Sequence, residues 1–267
     1  MPASTTQLAA ALRAGDVSAV EVARAAIDGA EAHRAAFGGV AALAPERSLA
    51  AARESDARLA AGAARALEGV PITVKDWIDV AGWPVGGHPV DRDRRPDRDA
   101  TAVARLRAAG AVVIAISAAH ADNAVHGPTR NPYDPTRAPG GSSSGAAALV
   151  AAGVTPLALG SDSGGSIRLP AAWCGVPGLK PSFGRVPLTG HVPRAAAISD
   201  GRTVIGPIAA AVDDLALTLG IIAGPDGLDA GVAPVPLLDD SAVDPRALVV
   251  ARVQGDVSAP VAAAAAA

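Results

Sequence analysis

The glycine- and serine-rich segment GSDSGGSIRLPAAWCG runs from Gly160 to Gly175. Its first seven residues are three glycines, three serines and one aspartate, and a single arginine and a proline follow. Glycines let consecutive backbone N–H groups converge on one point, because they tolerate positive φ and carry no side chain. Since the apolar run TPLALG precedes the stretch, we expect a strand, then a tight polar turn, then a short helix.

A second glycine- and serine-rich segment, PGGSSSG at residues 139–145, lies shortly upstream. It matches the G-x-S-x-G pattern of a nucleophile elbow, which would make Ser143 the catalytic serine of an α/β-hydrolase. That motif needs a strand directly before it, but NPYDPTRAPG is broken by prolines, and His191 is the one histidine downstream. A flexible linker is the other interpretation, and it would not lead straight into an apolar helix.

Helical patterns dominate the first quarter of the chain. Residues 5–36 predict two helices, of which the second begins with a capping box of Ser18 and Glu21. Residues 46–62 predict a third amphipathic helix, and 71–80 predict a strand or a pair of strands.

Helices then alternate with buried strands. We expect Asp99 to cap the helix ATAVARLRAAG, which leads into the strand AVVIAI. The same alternation recurs where SGAAALVAAG precedes TPLALG and where VDDLALTLGIIAG precedes RALVVARV. The pattern predicts an α/β fold with a mixed, mostly parallel sheet covered by helices.

Composition narrows the function classes. The 267 residues are 50% hydrophobic and 18% charged, with a net charge of −3 and intermixed signs, which favours a soluble globular protein and no nucleic-acid or membrane partner. Cys174 is the single cysteine, so no intrachain disulfide forms, and we expect a cytoplasmic location. No P-loop, CxxC or HExxH pattern occurs, so we expect no cofactor and no metal.

The glycine-rich turn suits nucleophilic catalysis on an amide. A hydroxyl must lose its proton as it attacks, and the oxyanion needs preorganised donors, so Ser166 at the end of the turn is the better nucleophile candidate on local grounds. None of the five histidines has a spacing typical of a base. Lys75, in the strand segment PITVK, can act as the base if burial lowers its pKa by about 3 units. Lys180 in GLKP is expected at the surface instead.

The segment Pro139–Arg185 closely resembles the signature block of the amidase signature family. The segments GVPITVKDWIDVAG, DATAVARLRAAGAVV, GPTRNPYDP and TVIGPIAAAVDDLAL resemble the same family in the same order, so the similarity covers roughly residues 5–255. The resemblance implies the amidase signature fold and the hydrolysis of amides through a Ser–cis-Ser–Lys triad.

Residue roles follow from the resemblance position by position. It implies that Lys75 is the base, that Ser142 is the bridging serine after a cis peptide bond, and that Ser166 is the nucleophile. The implied oxyanion hole consists of the backbone amides of Ser163, Gly164, Gly165 and Ser166, and the implied supporting residues are Ser143, Ser161, Asp162 and Arg168. A plain structural ion pair is the alternative for the last two.

Two departures from the family bear on function. Residues 117–126 lack the Lys-Thr-Asn-like start and the acidic residue expected before GPTRNP, and family members run considerably longer. We therefore expect one domain over 1–267 that is incomplete at its C-terminus: a helical part at 1–65, a catalytic core at 66–255 and a truncated helix start at 258–267.

Three functions are compatible with the sequence. The first is an amidase acting on a small-molecule amide, with a homodimer allowed by the resemblance. The second is the glutaminase-type component of a tRNA-dependent amidotransferase, and the third is an inactive truncated fragment.

Overall fold

The computed structural model describes residues 4–86, 93–192, 201–237 and 243–247 of the chain. Its contacts divide the chain into two units, Met1–Val235 and Pro236–Ala267. The second unit contains a short 3₁₀ turn at Pro245–Ala247, where the sequence pattern RALVVARV predicted the beginning of a strand. The rest of that strand and the helix start at 258–267 lie outside the described residues. A single domain over the whole chain stays a prediction.

A five-stranded sheet forms the centre of the first unit. Its strands are β1 (Val40–Leu43), β2 (Pro71–Lys75), β3 (Val112–Ser117), β6 (Leu157–Asp162) and β7 (Val204–Ala209). A separate two-stranded ribbon consists of β4 (Asp122–Asn123) and β5 (Gly127–Pro128). The order in the main sheet is β1–β3–β2–β6–β7, in which β2 runs parallel to both neighbours and the two edge strands are antiparallel. The predicted α/β class with a mixed, mostly parallel sheet is confirmed.

Seven α-helices of the described residues pack around this sheet. They are α1 (Thr5–Ala14), α2 (Ala19–Phe37), α3 (Pro45–Ala60), α4 (Thr101–Ala108), α5 (Ser144–Ala151), α6 (Arg168–Cys174) and α7 (Val212–Ile222). The predicted capping box of Ser18 and Glu21 opens α2. Helices α2 and α3 contact β3, and α5 contacts β2, β3, β6 and β7. The residues of α5 from Ser144 to Val150 are all buried, because their small side chains let the helix lie close against the strands.

The strand predicted at 71–80 was wrong in length. It ends at Lys75, since the amide of Ile78 turns back to the carbonyl of Lys75 at 2.9 Å and closes a turn. The chain therefore leaves the sheet at the adjacent charged residues Lys75 and Asp76.

The cap predicted for α4 was also wrong. The N-cap is Ala100, and no side chain caps the helix. The carboxylate of Asp99 instead accepts hydrogen bonds from the amide of Ala81 at 2.7 Å and from the Arg107 guanidinium at 2.8 Å. A distant backbone amide and a cation therefore replace the local helix amides as its donors.

Candidate active site

The Lys75 side chain lies at the end of β2 and is completely buried. Its Nζ donates hydrogen bonds to Ser142 Oγ at 2.7 Å and to Ser161 Oγ at 3.1 Å. Ser161 belongs to β6, the parallel neighbour of β2, so its side chain lies near the same carboxyl edge of the sheet. The indole of Trp77 covers the amine from 4.4 Å. The structure therefore joins the predicted base to the predicted bridging serine.

Burial lowers the pKa of the Lys75 amine to about 7, although the charges of Asp76 and Asp162 act in the opposite direction. A large part of the amine is therefore neutral near pH 7, and the neutral fraction grows as the pH rises. A neutral amine accepts a proton, whereas an ammonium ion does not. This property matches a general base at neutral pH.

Ser142 follows Gly141 through a cis peptide bond and is 6% exposed. Its carbonyl accepts a hydrogen bond from the amide of His120 at 2.9 Å. The buried helix α5 begins two residues later, so the packing of that helix against the sheet holds the bridging hydroxyl at the lysine.

Ser143 fastens two segments together. Its amide donates to the carbonyl of Ser166 at 3.0 Å, and its buried hydroxyl donates to the carbonyl of Ser161 at 3.2 Å and accepts from the Ser161 amide at 3.3 Å. No strand occurs among the described residues 129–143 directly before it. The nucleophile-elbow interpretation is therefore wrong, because this part of the chain offers neither the strand nor an accessible hydroxyl.

The Asp162 carboxylate anchors the glycine-rich turn between β6 and α6. It accepts hydrogen bonds from the amides of Gly165 at 2.7 Å, Ile167 at 3.1 Å and Arg168 at 3.3 Å. The guanidinium of Arg168 adds two bonds of 3.0 Å each. Burial raises the pKa of Asp162, but the Arg168 pair and the three amides outweigh it and hold that pKa well below its usual range. The ion pair thus fixes the shape of the turn.

The turn that carries Ser166 is more open than the surroundings of Lys75 and Ser142. Ser163 and Gly164 are exposed and Ser166 is half-buried. The amide of Gly165 is bonded to Asp162, so it is not the free oxyanion donor that the sequence predicted. Within the described ranges we find no hydrogen bond between the Ser166 and Ser142 hydroxyls, although the backbone of Ser166 is bonded to Ser143.

Sequence reasoning missed several neighbours of the lysine. Asp76 is 1% exposed, and its Oδ2 accepts from the amide of Ala119 at 3.0 Å and lies 3.8 Å from His126 Nε2. The Trp77 ring contacts the rings of His120 and His191 at centroid distances of 5.1 and 6.2 Å. A charged pair inside the apolar run ITVKDWI was the available signal for Asp76, whereas nothing local marked the histidines.

The described part of the chain contains no cluster of three or more histidine, cysteine, aspartate or glutamate side chains arranged to hold a metal ion. None of its helices combines the length and the apolar character that crossing a bilayer requires.

Comparison with known proteins identifies the family. The Amidase family model matches residues 21–266. The fold matches that of the peptide amidase of Stenotrophomonas maltophilia, with a TM-score of 0.81 and 35% identity, over 87% of this chain and 50% of that one. The chain belongs to the amidase signature family.

Relatives of two kinds stand out. By sequence, the chain is 42% identical over 245 residues to a glutamyl-tRNA(Gln) amidotransferase subunit of Chloroflexus aurantiacus, covering 88% of this chain and 50% of that protein. By structure, it resembles a bacterial aryl acylamidase of the amidase signature family, with a TM-score of 0.81 and 32% identity, covering 88% of this chain and 50% of that one. The chain spans about half the length of the relatives it matches.

Proposed function

We propose that this chain carries the catalytic centre of an amidase, which hydrolyses a carboxamide to a carboxylate and ammonia or an amine. The observation that supports it most is the buried Lys75 amine, 2.7 Å from the hydroxyl of Ser142. A buried lysine without a carboxylate in hydrogen-bond contact is costly unless it is neutral, and a neutral amine bonded to a serine hydroxyl is suited to proton transfer.

The proposed first half-reaction forms an acyl-enzyme. Ser166 Oγ attacks the amide carbon while its proton passes to Ser142 Oγ, and the proton of Ser142 passes to Lys75 Nζ. The resulting ammonium then returns a proton through Ser142 to the leaving nitrogen, and the C–N bond breaks. Water attacks the ester in the second half-reaction by the same route, which releases the carboxylate and restores Ser166.

The proposed oxyanion donors are the backbone amides of Ser163, Gly164 and Ser166. Gly165 is excluded because its amide is bonded to Asp162. The role of Gly165 is instead conformational, since its φ is +110° and a Cβ at this position would lie 3.0 Å from the Leu169 side chain. Fixed amides of this kind stabilise an oxyanion because they need no reorganisation during the attack.

The second candidate function is the glutaminase-type component of a tRNA-dependent amidotransferase. Sequence relatives that are named as glutamyl-tRNA(Gln) amidotransferase subunits favour it. The segment 117–126 lacks the Met-Asp-Glu-like residues expected before GPTRNP, and this difference favours the amidase. A small-molecule amide as the substrate, a homodimer and a cytoplasmic location stay predictions of the amidase function.

The test measures release of ammonia or amine from a panel of aryl amides and from free glutamine. We expect turnover of at least one aryl amide by the unaltered chain and none by Ser166→Ala. Turnover of glutamine alone would favour the amidotransferase component. Turnover that survives in Ser166→Ala would overturn the assignment of the nucleophile.

The third function, an inactive fragment, is tested by stability rather than by turnover. A single cooperative thermal transition, seen alike by circular dichroism and by tryptophan fluorescence, is expected if the described sheet is self-sufficient. A broad transition, without turnover of any amide in the panel, would favour the inactive fragment.

A further inference from the structure

Asp76 is an incompletely satisfied buried carboxylate next to the candidate base. Its Oδ2 accepts one amide hydrogen bond, from Ala119, whereas its Oδ1 is buried and has no hydrogen-bond partner. A buried carboxylate with so few donors needs either a proton or a nearby cation. Two groups within reach supply one of these: the Lys75 amine, which precedes it in the chain, and the imidazole of His126.

His126 reaches Asp76 from the segment in which this chain departs from its family. Its Nε2 lies 3.8 Å from Asp76 Oδ2 and has no hydrogen-bond partner, and the ring is also hydrogen bonded to the backbone of Gly86. The side chain is 19% exposed, so it connects a buried carboxylate to the surface. The amide of His126 is bonded to Asn123 Oδ1 at 2.8 Å, which holds the segment in place.

Other charged groups near this cluster are few in the described part of the chain. The charge of Asp162 raises the pKa of Lys75, whereas burial and, to a smaller extent, the charge of Arg34 on α2 lower the pKa of His126. The rings of His120 and His191 contact the indole of Trp77, which also covers the Lys75 amine. Asp122 is paired with Arg130 at the surface. Asp76, which follows Lys75 in the chain, and His126, 3.8 Å from Asp76, are therefore the pair best placed to influence the charge of Lys75.

We propose that His126 and Asp76 are positioning residues that share one proton and thereby keep Lys75 neutral and basic. The inference rests on the proposed amidase function and deepens it, because it explains how the base of that reaction is kept unprotonated. When His126 and Asp76 hold a proton between them, the carboxylate is compensated and has no need of a lysine ammonium. Without the imidazole, the carboxylate is compensated by Lys75 alone.

The direction of each effect follows from this competition. Replacing His126 by glutamine keeps a side chain of similar reach that takes no proton, so an ionised Asp76 is compensated by Lys75 alone and the pKa of Lys75 rises. Replacing Asp76 by asparagine removes the negative charge, so the pKa of Lys75 falls. In the double variant the histidine has no carboxylate to act on, and the result equals that of Asp76→Asn alone.

The chain allows a direct measurement, because it contains only two lysines, Lys75 and Lys180. With ¹³Cε-labelled lysine, NMR gives two signals, and Lys180 is the internal reference. We expect the titration midpoint of Lys75 to move up by roughly one pH unit in His126→Gln and down by a similar amount in Asp76→Asn. The matched control is His33→Gln, since His33 is bonded to the carbonyl of Gly38 and not to Asp76; its Lys75 midpoint should equal that of the unaltered chain.

The same variants are followed by kcat/KM on an amide across pH. At pH values below the Lys75 midpoint, the kcat/KM of His126→Gln should be about tenfold lower than that of the unaltered chain, because its midpoint lies one pH unit higher. An unmoved or lowered midpoint in His126→Gln would overturn the inference, even if amide turnover is intact. Midpoints that move as expected in a chain without turnover would instead contradict the proposed function alone, because the NMR measurement needs no substrate.

Discussion

The lysine side and the serine side of the site are built differently. Lys75 and Ser142 are buried, joined by a short hydrogen bond and enclosed by β2, β6 and α5. Ser166 is half-buried in a turn whose Ser163 and Gly164 are exposed, and the apolar side chains of Leu169 and Trp173 on α6, the helix after this turn, are also exposed.

The difference shows which part of the chemistry depends on the sheet. A base with a shifted pKa needs a dry environment, and the described chain supplies it through packed strands and a small-residue helix. The proposed nucleophile, Ser166, would have to be reached by substrate, and its turn is shaped locally, by the carboxylate of Asp162. The Lys75 amine is thus enclosed within this chain, whereas the turn that carries Ser166 is open in the part that the structure describes.

Removal of the Lys75 amine should cause the largest loss of turnover. Lys75→Ala should reduce kcat/KM on an active amide by at least about a thousandfold, because no other base lies within hydrogen-bond distance of Ser142 in the described residues. Lys180→Ala, the change at the other lysine, should keep near-normal turnover. Near-normal turnover by Lys75→Ala across neutral pH would contradict the triad.

Removal of the Ser142 hydroxyl, which is proposed to pass the proton between Ser166 and Lys75, should cause the next largest loss. Ser142→Ala leaves Lys75 buried but removes the hydroxyl through which the proton passes, so we expect a loss of kcat of about a hundredfold or more, at similar KM. Steady-state kinetics measure it, with Ser48→Ala as the control, because the buried Ser48 hydroxyl is bonded to the carbonyl of Val113 and not to the lysine. A loss that appears in KM alone would contradict the proton relay.

Loss of the Asp162 charge should weaken the turn that carries Ser166 and have a smaller effect, measured as stability. Asp162→Asn removes the charge that holds three amides and Arg168, and it should lower the free energy of unfolding by roughly 2–3 kcal/mol at neutral pH. The folded pKa of Asp162 lies below its ordinary 3.8, so the stabilisation is present above that pH and is lost as the pH falls through the folded pKa.

Urea unfolding at pH 7 and pH 3 measures this change. The difference between the unaltered chain and Asp162→Asn should be smaller at pH 3. Arg168→Ala is the comparison variant. Because the Arg168 guanidinium is largely exposed, this change should lower the free energy of unfolding at pH 7 by less than Asp162→Asn does. Equal stability of Asp162→Asn and the unaltered chain at pH 7 would mean that the carboxylate does not anchor the turn.

The last expected effect concerns the pH dependence of stability that arises from Lys75. The unfolded chain keeps a proton on Lys75 up to its ordinary pKa of 10.5, whereas the folded chain loses it above about 7, so stability rises with pH between these values. Lys75→Met should be more stable than the unaltered chain at pH 7, and this advantage should shrink towards pH 10. Thermal unfolding at both values measures it, and an advantage that is independent of pH would show that the folded amine stays protonated.

Much of this architecture was predictable from the sequence. Helix caps such as Ser18 and Glu21, and buried runs such as PITVK and TPLALG, are local patterns, and the fold class followed from their alternation. Lys75 was recognisable because a lone lysine ended an apolar strand.

The remaining features depend on contacts between distant segments. Asp99 has a helix-cap position in the sequence, but the amide of Ala81 and Arg107 take its carboxylate. The Gly165 amide was predicted to be free, and the carboxylate three residues earlier occupies it. The approach of His126 to Asp76 joins residues 50 positions apart, and no periodicity in the sequence indicates it.

Activation of Ser166 by the buried Lys75 amine is tested by labelling with a fluorophosphonate, which reacts with an activated serine oxygen and releases fluoride. Mass mapping of the labelled peptide should place the modification on Ser166, at a rate that rises as the pH increases through about 7, and Lys75→Ala should not be labelled. Modification of Ser143, or labelling of Ser166 at the same rate in Lys75→Ala, would contradict a serine activated by the buried amine.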